Sequence, residues 1–282
     1  MLNSSYSLSA EIGRQQALES QIAQLQIDIS SGVKVHVASD DPEAAARIAQ
    51  IGRQQADATT YASNVKQAQA TAGLVDANLS SVQTALGQAK ELMLQGSNGT
   101  LNASDRASIV TELQGIQQSL QNYANQTDSS GNPLYVKGAQ PPQIPIGKGT
   151  AIAAADSYDD VFGTVTLKSG STTDINTIIG NAITALQSGS STQMASSLDD
   201  LDSAANHISD AQADIGVRET RLNNSSDALA NSATDLASER SGLEDTDATE
   251  AYATMSSKMT ILNAAQSVLA TIGKNSLFDK IT

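Results

Sequence analysis

The sequence predicts a mainly α-helical protein, an elongated antiparallel bundle or coiled coil built from both chain ends, with a small β-rich insert domain. From Ile51 to Met93 every seventh residue is apolar, and a second row, three residues on, is apolar except at Gln54. Two such rows form the seam of a helix that packs lengthwise on another helix. A second ladder with a period of seven lies in the far half of the chain, at Met194, Leu201, Ile208, Ile215, Leu222, Leu229, Leu236 and Leu243.

The composition favours narrow helical packing over a thick globular core. Aromatic residues make up 3% of the 282 residues, with no Trp and two Phe. Small apolar residues suit close seams between helices. At about 1.5 Å per residue, each ladder marks a helix of about 60–75 Å. We therefore expect a protein made for length and assembly rather than one built around a pocket.

The N-terminal half is predicted to hold three helices. The first runs from about Ser4 to Ser30, and Ser31-Gly32 ends it before a β-prone piece at residues 33–37. In the next helix, Asp41 can cap the first turn and Pro42 fits the first position. This helix carries the first ladder to about residue 95, and a third helix spans about residues 102–126. The helix-start motif comprises Ser39, Asp40, Asp41 and Pro42.

The amino-acid composition changes after the third predicted helix. Every proline except Pro42 lies between Pro133 and Pro145, so residues 130–171 are predicted to form a small β-rich insert. Helices are expected at residues 174–186 and from 193 nearly to the end, with a pause at 245–247. The predicted division is terminal helices at 1–32 plus 250–282, a helical rod at 33–129 plus 172–249, and the insert at 130–171.

The two terminal helices carry apolar faces that extend past the paired ladders. Isolated helices of about 30 residues with thin apolar faces are marginally stable alone. We expect these ends to be partly disordered in the monomer and to fold against neighbouring subunits. The predicted assembly interface comprises Leu8, Ile12, Leu18, Ile22, Leu25, Ile29, Met255, Met259, Leu262, Leu269, Ile272, Leu277 and Phe278.

Charge and residue types exclude several classes of function. The formal net charge is −14, which disfavours nucleic acids and anionic membranes as partners. With no Cys and two His, the sequence offers no catalytic constellation and no metal site, so no enzyme activity and no cofactor are expected. No apolar run approaches the ~20 residues of a membrane span. The N-terminus lacks the regions of a secretory signal, so export without a cleaved signal peptide is expected.

Short motifs near both ends of the chain form a recognisable set. They are Ile29-Ser30-Ser31-Gly32, Ala38-Ser39-Asp40-Asp41-Pro42, residues 55–79, Asp105-Arg106, Leu113-Gln114-Gly115-Ile116, Gly216-Val217-Arg218 and Asn275-Ser276-Leu277-Phe278. These segments resemble the family of flagellar hook–filament junction proteins, which are hook-associated members of the flagellin superfamily. The resemblance covers roughly residues 1–138 and 200–282, and the insert matches poorly. After Asn132 the chain departs from the more aromatic strand that is usual in the family.

The resemblance implies a structural role in the bacterial flagellum. Such proteins are exported unprocessed through the flagellar type III apparatus, with a cytoplasmic chaperone on the C-terminal helix. They form a ring of identical subunits between another hook-associated protein and the flagellin filament. In such a ring the resemblance implies that the terminal helices pack as an inner coiled-coil tube and that the insert faces outward. Two alternatives stay open: a flagellin, which shares the helical ends, and a surface-binding module that uses the Ser/Thr-rich part of the insert.

Overall fold

The computed structural model describes the backbone of residues 2–98 and 101–278, and the side chains of residues 9–98 and 101–271. Long helices dominate it, which confirms the predicted mainly-α class with a small β component. The helices are α1 (Leu2–Ser31), α2 (Pro42–Gly96), α3 (Ala103–Ala124), α4 (Ile175–Ser188), α5 (Ser191–Glu244) and α6 (Ala248–Phe278). The strands are β1 (Gln143–Gly147), β2 (Thr150–Ala153), β3 (Val165–Thr166) and β4 (Thr172–Thr173), with a π-helical turn at Asp159–Gly163.

The chain divides into two compact units. One combines Met1–Ala56 with Ala233–Thr282, and the other is Asp57–Ser232. Both boundaries fall inside the long helices α2 and α5. The sequence could not show them, because an unbroken helix carries no local signal where its packing neighbours change. The three-part division expected from the sequence stays a prediction.

In the first unit, two breaks in the helices lie side by side. Gly32 ends α1 with a φ of 75°, a conformation that suits glycine after a helix C-terminus. The backbone N–H of Lys34 donates to the Glu244 carbonyl at 2.8 Å, and that of Thr246 donates to the Gly32 carbonyl at 2.9 Å. The β-prone piece at 33–37 is thus reduced to one antiparallel bridge, Val33 to Asp245, because the opposing break offers too few residues for a strand.

The second unit has a continuous apolar core, which confirms the two ladders there. On α2, both rows of the seam are fully buried from Val65 to Met93, and on α5 the ladder is buried from Met194 to Leu222. Residue numbers rise along α2 as they fall along α5, since Gln69 bonds Asn223 and Lys90 pairs with Asp202. The two helices are therefore antiparallel, as predicted. Beyond Leu222 the ladder residues are only half-buried, so burial along the ladder is less regular than the seven-residue period of the sequence.

The β segments of the second unit are small but share its core. β1 pairs with β2 in an antiparallel hairpin, and β3 pairs with β4. The buried residues Tyr135, Ile146 and Phe162 belong to the same apolar cluster as the seam of α2. α4 packs on α3 and adds a buried face from Ile175 to Leu186. This stretch of the chain is thus part of the packing that orders α2, α3 and α5.

Candidate functional site: the terminal helix pair

The inner faces of α1 and α6 hold most of the predicted interface residues. On α1, Ile22 is buried, and Leu18, Leu25 and Ile29 are half-buried at spacings of three and four, which places them on one helix face. On α6 the corresponding residues are the buried Ala251 and the half-buried Met255, Leu262 and Leu269. The Lys258 ammonium donates to Gln21 at 2.7 Å and links the two helices. The structure therefore brings the predicted residues of the two inner faces together within one chain, with Ala251 as a member that was not predicted.

Large apolar side chains outside the inner faces of this pair are exposed, and we call them the outward set. One of them, Met259, also borders the groove between α1 and α6. A two-helix pair covers one side of each helix, so apolar residues on the other sides keep their exposure. Exposed apolar side chains mark an interaction surface where they form a contiguous patch. Ile12 and Met259, both predicted as interface residues, belong to this set. Its members are Ile12 (42% exposed), Ile27 (53%), Tyr252 (63%), Met259 (43%), Ile261 (53%) and Val268 (58%).

Four predicted interface residues are not among the described side chains. Leu8 and Ile272 lie in the described backbone of α1 and α6, and so do Leu277 and Phe278. Their part in the interface stays a prediction.

The helix-start motif organises the connection between α1 and α2. The Asp41 Oδ1 atom accepts from the backbone N–H groups of Glu43 at 3.1 Å and Ala44 at 3.0 Å, and Pro42 is the first residue of α2. The Asp40 carboxylate accepts from His36 and Val37, each at 2.9 Å. Hydrogen bonds from Val37 and then His36 lower the pKa of Asp40. Ser39 is exposed. The motif therefore caps a helix and holds the preceding loop.

We expect Asp41→Ala to lower the free energy of unfolding by about 1 kcal/mol, because two N–H groups of the first turn of α2 lose their acceptor. Asp41→Asn keeps a capping oxygen and should stay within about 0.5 kcal/mol of the parent. Urea unfolding of the three proteins checks this prediction. An assembly defect in the alanine variant with an unchanged unfolding midpoint would show that the motif acts elsewhere.

Two polar contacts in this unit escaped the sequence analysis. Asp28 is 9% exposed on α1, and its Oδ1 accepts from Gln24 at 2.9 Å and lies 3.0 Å from the His36 Nε2. Arg47 on α2 pairs with Glu239 on α5 at 2.6 Å. Their sequence separations of eight and 192 residues give no local pattern, so only the fold could show them.

In the second unit, a buried network fastens the segment after α3 to the long helices. The Tyr135 hydroxyl donates to the Asn78 Oδ1 at 2.9 Å, and the Asn78 Nδ2 donates to the Tyr123 carbonyl at 3.1 Å. Asp156 pairs with Arg218 on α5. Burial, and then the negative charge of Asp156, raises the pKa of Tyr135. Aromatic residues are scarce in this sequence, and that scarcity was the one sequence signal that drew attention to a residue such as Tyr135.

We expect Tyr135→Phe to cost about 1–3 kcal/mol, because the buried Asn78 oxygen loses a donor. The raised pKa of Tyr135 also determines whether the stability of the folded state rises or falls with pH. The folded state favours the neutral phenol, so this contribution is complete below the ordinary pKa of 10.0 and is lost as the pH rises above it. Urea unfolding at about pH 8 and pH 11 should show a smaller alkaline loss of stability in Tyr135→Phe than in the parent. Equal losses would contradict this role of the phenol.

The described residues contain no group of three or more side chains suited to hold a metal ion. No helix in the described part of the chain is long and apolar enough to cross a membrane.

Helical chain ends that pair with each other in one unit, and long antiparallel helices with a small β segment in the other, define a flagellin-type helical protein. The family of the bacterial flagellin N-terminal helical region matches residues 3–137, and that of the C-terminal helical region matches residues 198–279. The chain belongs to the flagellin family, which confirms the resemblance seen in the sequence.

Among its relatives, hook-associated proteins are prominent. The chain is 39% identical to flagellar hook-associated protein 3 of Salmonella typhimurium over 107 residues, 38% of this chain and 34% of the relative. It is 30% identical to the Escherichia coli protein of the same name over 183 residues, 56% of this chain and 58% of the relative. The matches thus span from about a third to somewhat over half the length of these relatives.

A solved structure supports the fold. The flagellar hook-associated protein-3 of Legionella pneumophila superposes with a TM-score of 0.62 at 17% identity, and the match covers 70% of this chain and 98% of that one.

Proposed function

We propose that this protein is a structural component of the bacterial flagellum that joins hook to filament and assembles with copies of itself. The observation that carries the proposal is the outward apolar set on α1 and α6, on a chain whose relatives include two hook-associated proteins. A monomer gains nothing from six exposed large apolar side chains, whereas an assembly can bury them. The role is mechanical and needs no catalytic group.

The terminal pair supplies the proposed assembly contact. The inner faces hold α1 against α6, and the outward set remains available for neighbouring copies. Fully burying one Ile or Val side chain stabilises by about 1.5–3 kcal/mol, so covering several half-exposed ones is worth several kcal/mol per subunit. Packed side by side, such pairs would form a coiled-coil tube, and a closed arrangement of them would be a ring.

The names of the relatives suggest two of the proposed partners, the adjacent hook-associated protein and flagellin. The family resemblance implies a third, an export chaperone that holds the C-terminal helix until the chain leaves the cell by the type III route. The place of action is outside the cell, where hook meets filament.

Immunogold labelling of intact cells tests the proposal directly. A short band at the junction of hook and filament supports it. Label along the whole filament would make the protein a flagellin instead. The absence of flagellar label would overturn both assignments and direct attention to surface binding by the β segment.

A further inference from the structure

The methionines of this chain differ widely in their exposure to solvent. Because the sequence has no Cys, the thioethers of its five methionines are its only sulfur groups. Among the described side chains, Met93 is fully buried, Met194 is 6% exposed, Met255 is half-buried and Met259 is 43% exposed. A thioether must reach solvent to meet a dissolved oxidant, so a buried methionine reacts only when the fold opens. Met259 should therefore be the most reactive of these four residues.

Met259 lies at a sensitive place on the terminal helix pair. With Ile22 and Leu262 it borders the groove of about 180 Å³ between α1 and α6. It also belongs to the outward set, the surface that the proposed assembly covers. The same sulfur atom is thus open to solvent in the free subunit and shielded wherever a neighbouring copy packs on that surface.

We propose that Met259 is a redox-sensitive modification site, and that its oxidation to the sulfoxide blocks assembly of the free subunit. The sulfur lone pair attacks one oxygen of a peroxide, and the O–O bond breaks. With hydrogen peroxide, the thioether is oxidised as it gains that oxygen, while the other oxygen takes up the displaced proton and leaves as water. The inference rests on the proposed assembly function and adds a control on it.

Oxidation at this position affects the assembled state more than the free subunit. The sulfoxide is polar, and on an exposed helix face water can satisfy its oxygen. Under a neighbouring copy the same oxygen meets apolar side chains, and burying an unpaired polar group is unfavourable. Subunits oxidised before assembly are therefore excluded, whereas subunits already assembled are protected.

Hydrogen peroxide footprinting of the purified full-length protein and of isolated flagella tests the site. Mass spectrometry of proteolytic peptides follows each methionine separately. In the free protein Met259 should be oxidised at least about ten times faster than Met93, and its rate should fall at least about tenfold in isolated flagella. Equal rates for Met259 and Met93, or for Met259 in the free and the assembled protein, would overturn the proposal.

Two substitutions separate the effect of a polar group from loss of the thioether. Met259→Leu stays apolar, carries no sulfur and should keep filaments attached. Met259→Gln places a polar amide on a side chain of similar length, and at least about five-fold fewer cells should carry filaments. Leu and Gln favour helices about as well as Met, so both purified variants should keep the unfolding midpoint of the parent. Normal filament attachment in the glutamine variant would overturn the link between oxidation and assembly.

Peroxide added during filament growth tests that link without a polar substitution. Cells with Met259→Leu should then keep more attached filaments than parent cells, and equal loss would overturn the link. Immunogold labelling distinguishes this proposal from the function on which it rests. Junction label together with an unprotected Met259 in flagella would reject oxidation control alone, whereas missing flagellar label would reject the proposed function whatever the order of oxidation.

Discussion

Cells that carry Ile261→Asp should lose attached filaments, while the purified variant keeps the helical content and unfolding midpoint of the parent. Ile261 is 53% exposed on α6, so a carboxylate there stays hydrated in the monomer. In the proposed assembly the same position is covered, and burying an unpaired carboxylate costs several kcal/mol. That cost repeats at every subunit of the ring. Electron microscopy of cells and circular dichroism of the purified protein measure the two effects.

Two neighbouring substitutions make this result specific. Gln266→Asp adds the same charge at an exposed polar position of α6 and should leave filaments attached. Leu262→Asp alters the half-buried inner face, so it should loosen α6 from α1 and abolish assembly, with the central helices left intact. Attached filaments in both the Ile261 and Leu262 variants would exclude the terminal pair as the assembly surface.

Leu79→Ala should lower the free energy of unfolding by about 2–5 kcal/mol. Leu79 is fully buried in the seam of α2, where helices and the segment after α3 surround it. The substitution removes apolar contacts and leaves a cavity in a close-packed core. Leu74→Ala, at a 42% exposed position on the same helix, should cost less than about 1 kcal/mol. Urea unfolding of both variants checks the contrast, and similar losses would contradict the burial pattern.

The sequence predicted the helices well because their signals are local and repeat many times. The seven-residue period of α2 and α5 persists over many turns, and Gly32 and Pro42 mark the break between the first two helices. The sequence predicted the burial of individual seam residues less well than it predicted the helices. Leu229 and Leu236 share the period of Leu222 but are half-buried, since burial depends on neighbours that are distant in sequence.

The candidate site was predictable only in part, for the same physical reason. Period and composition identified Ile22 and Leu262 as members of apolar faces. They could not separate the inner residues from the outward ones, because Ile12 and Met259 fit the same spacing. The contacts of Asp28 with His36 and of Tyr135 with Asn78 depend on tertiary proximity, and they were missed.

The pairing of α1 with α6 also bears on the order of folding. The hydrogen bond between Lys258 and Gln21 spans 237 residues, so forming the pair closes a loop that contains nearly the whole chain. Closing so long a loop carries a large entropic cost, and contacts of high sequence separation form slowly. During synthesis α1 leaves the ribosome long before its partner exists. The ends of the chain should therefore be the last part to fold, and with few fully buried side chains between them, the first to open.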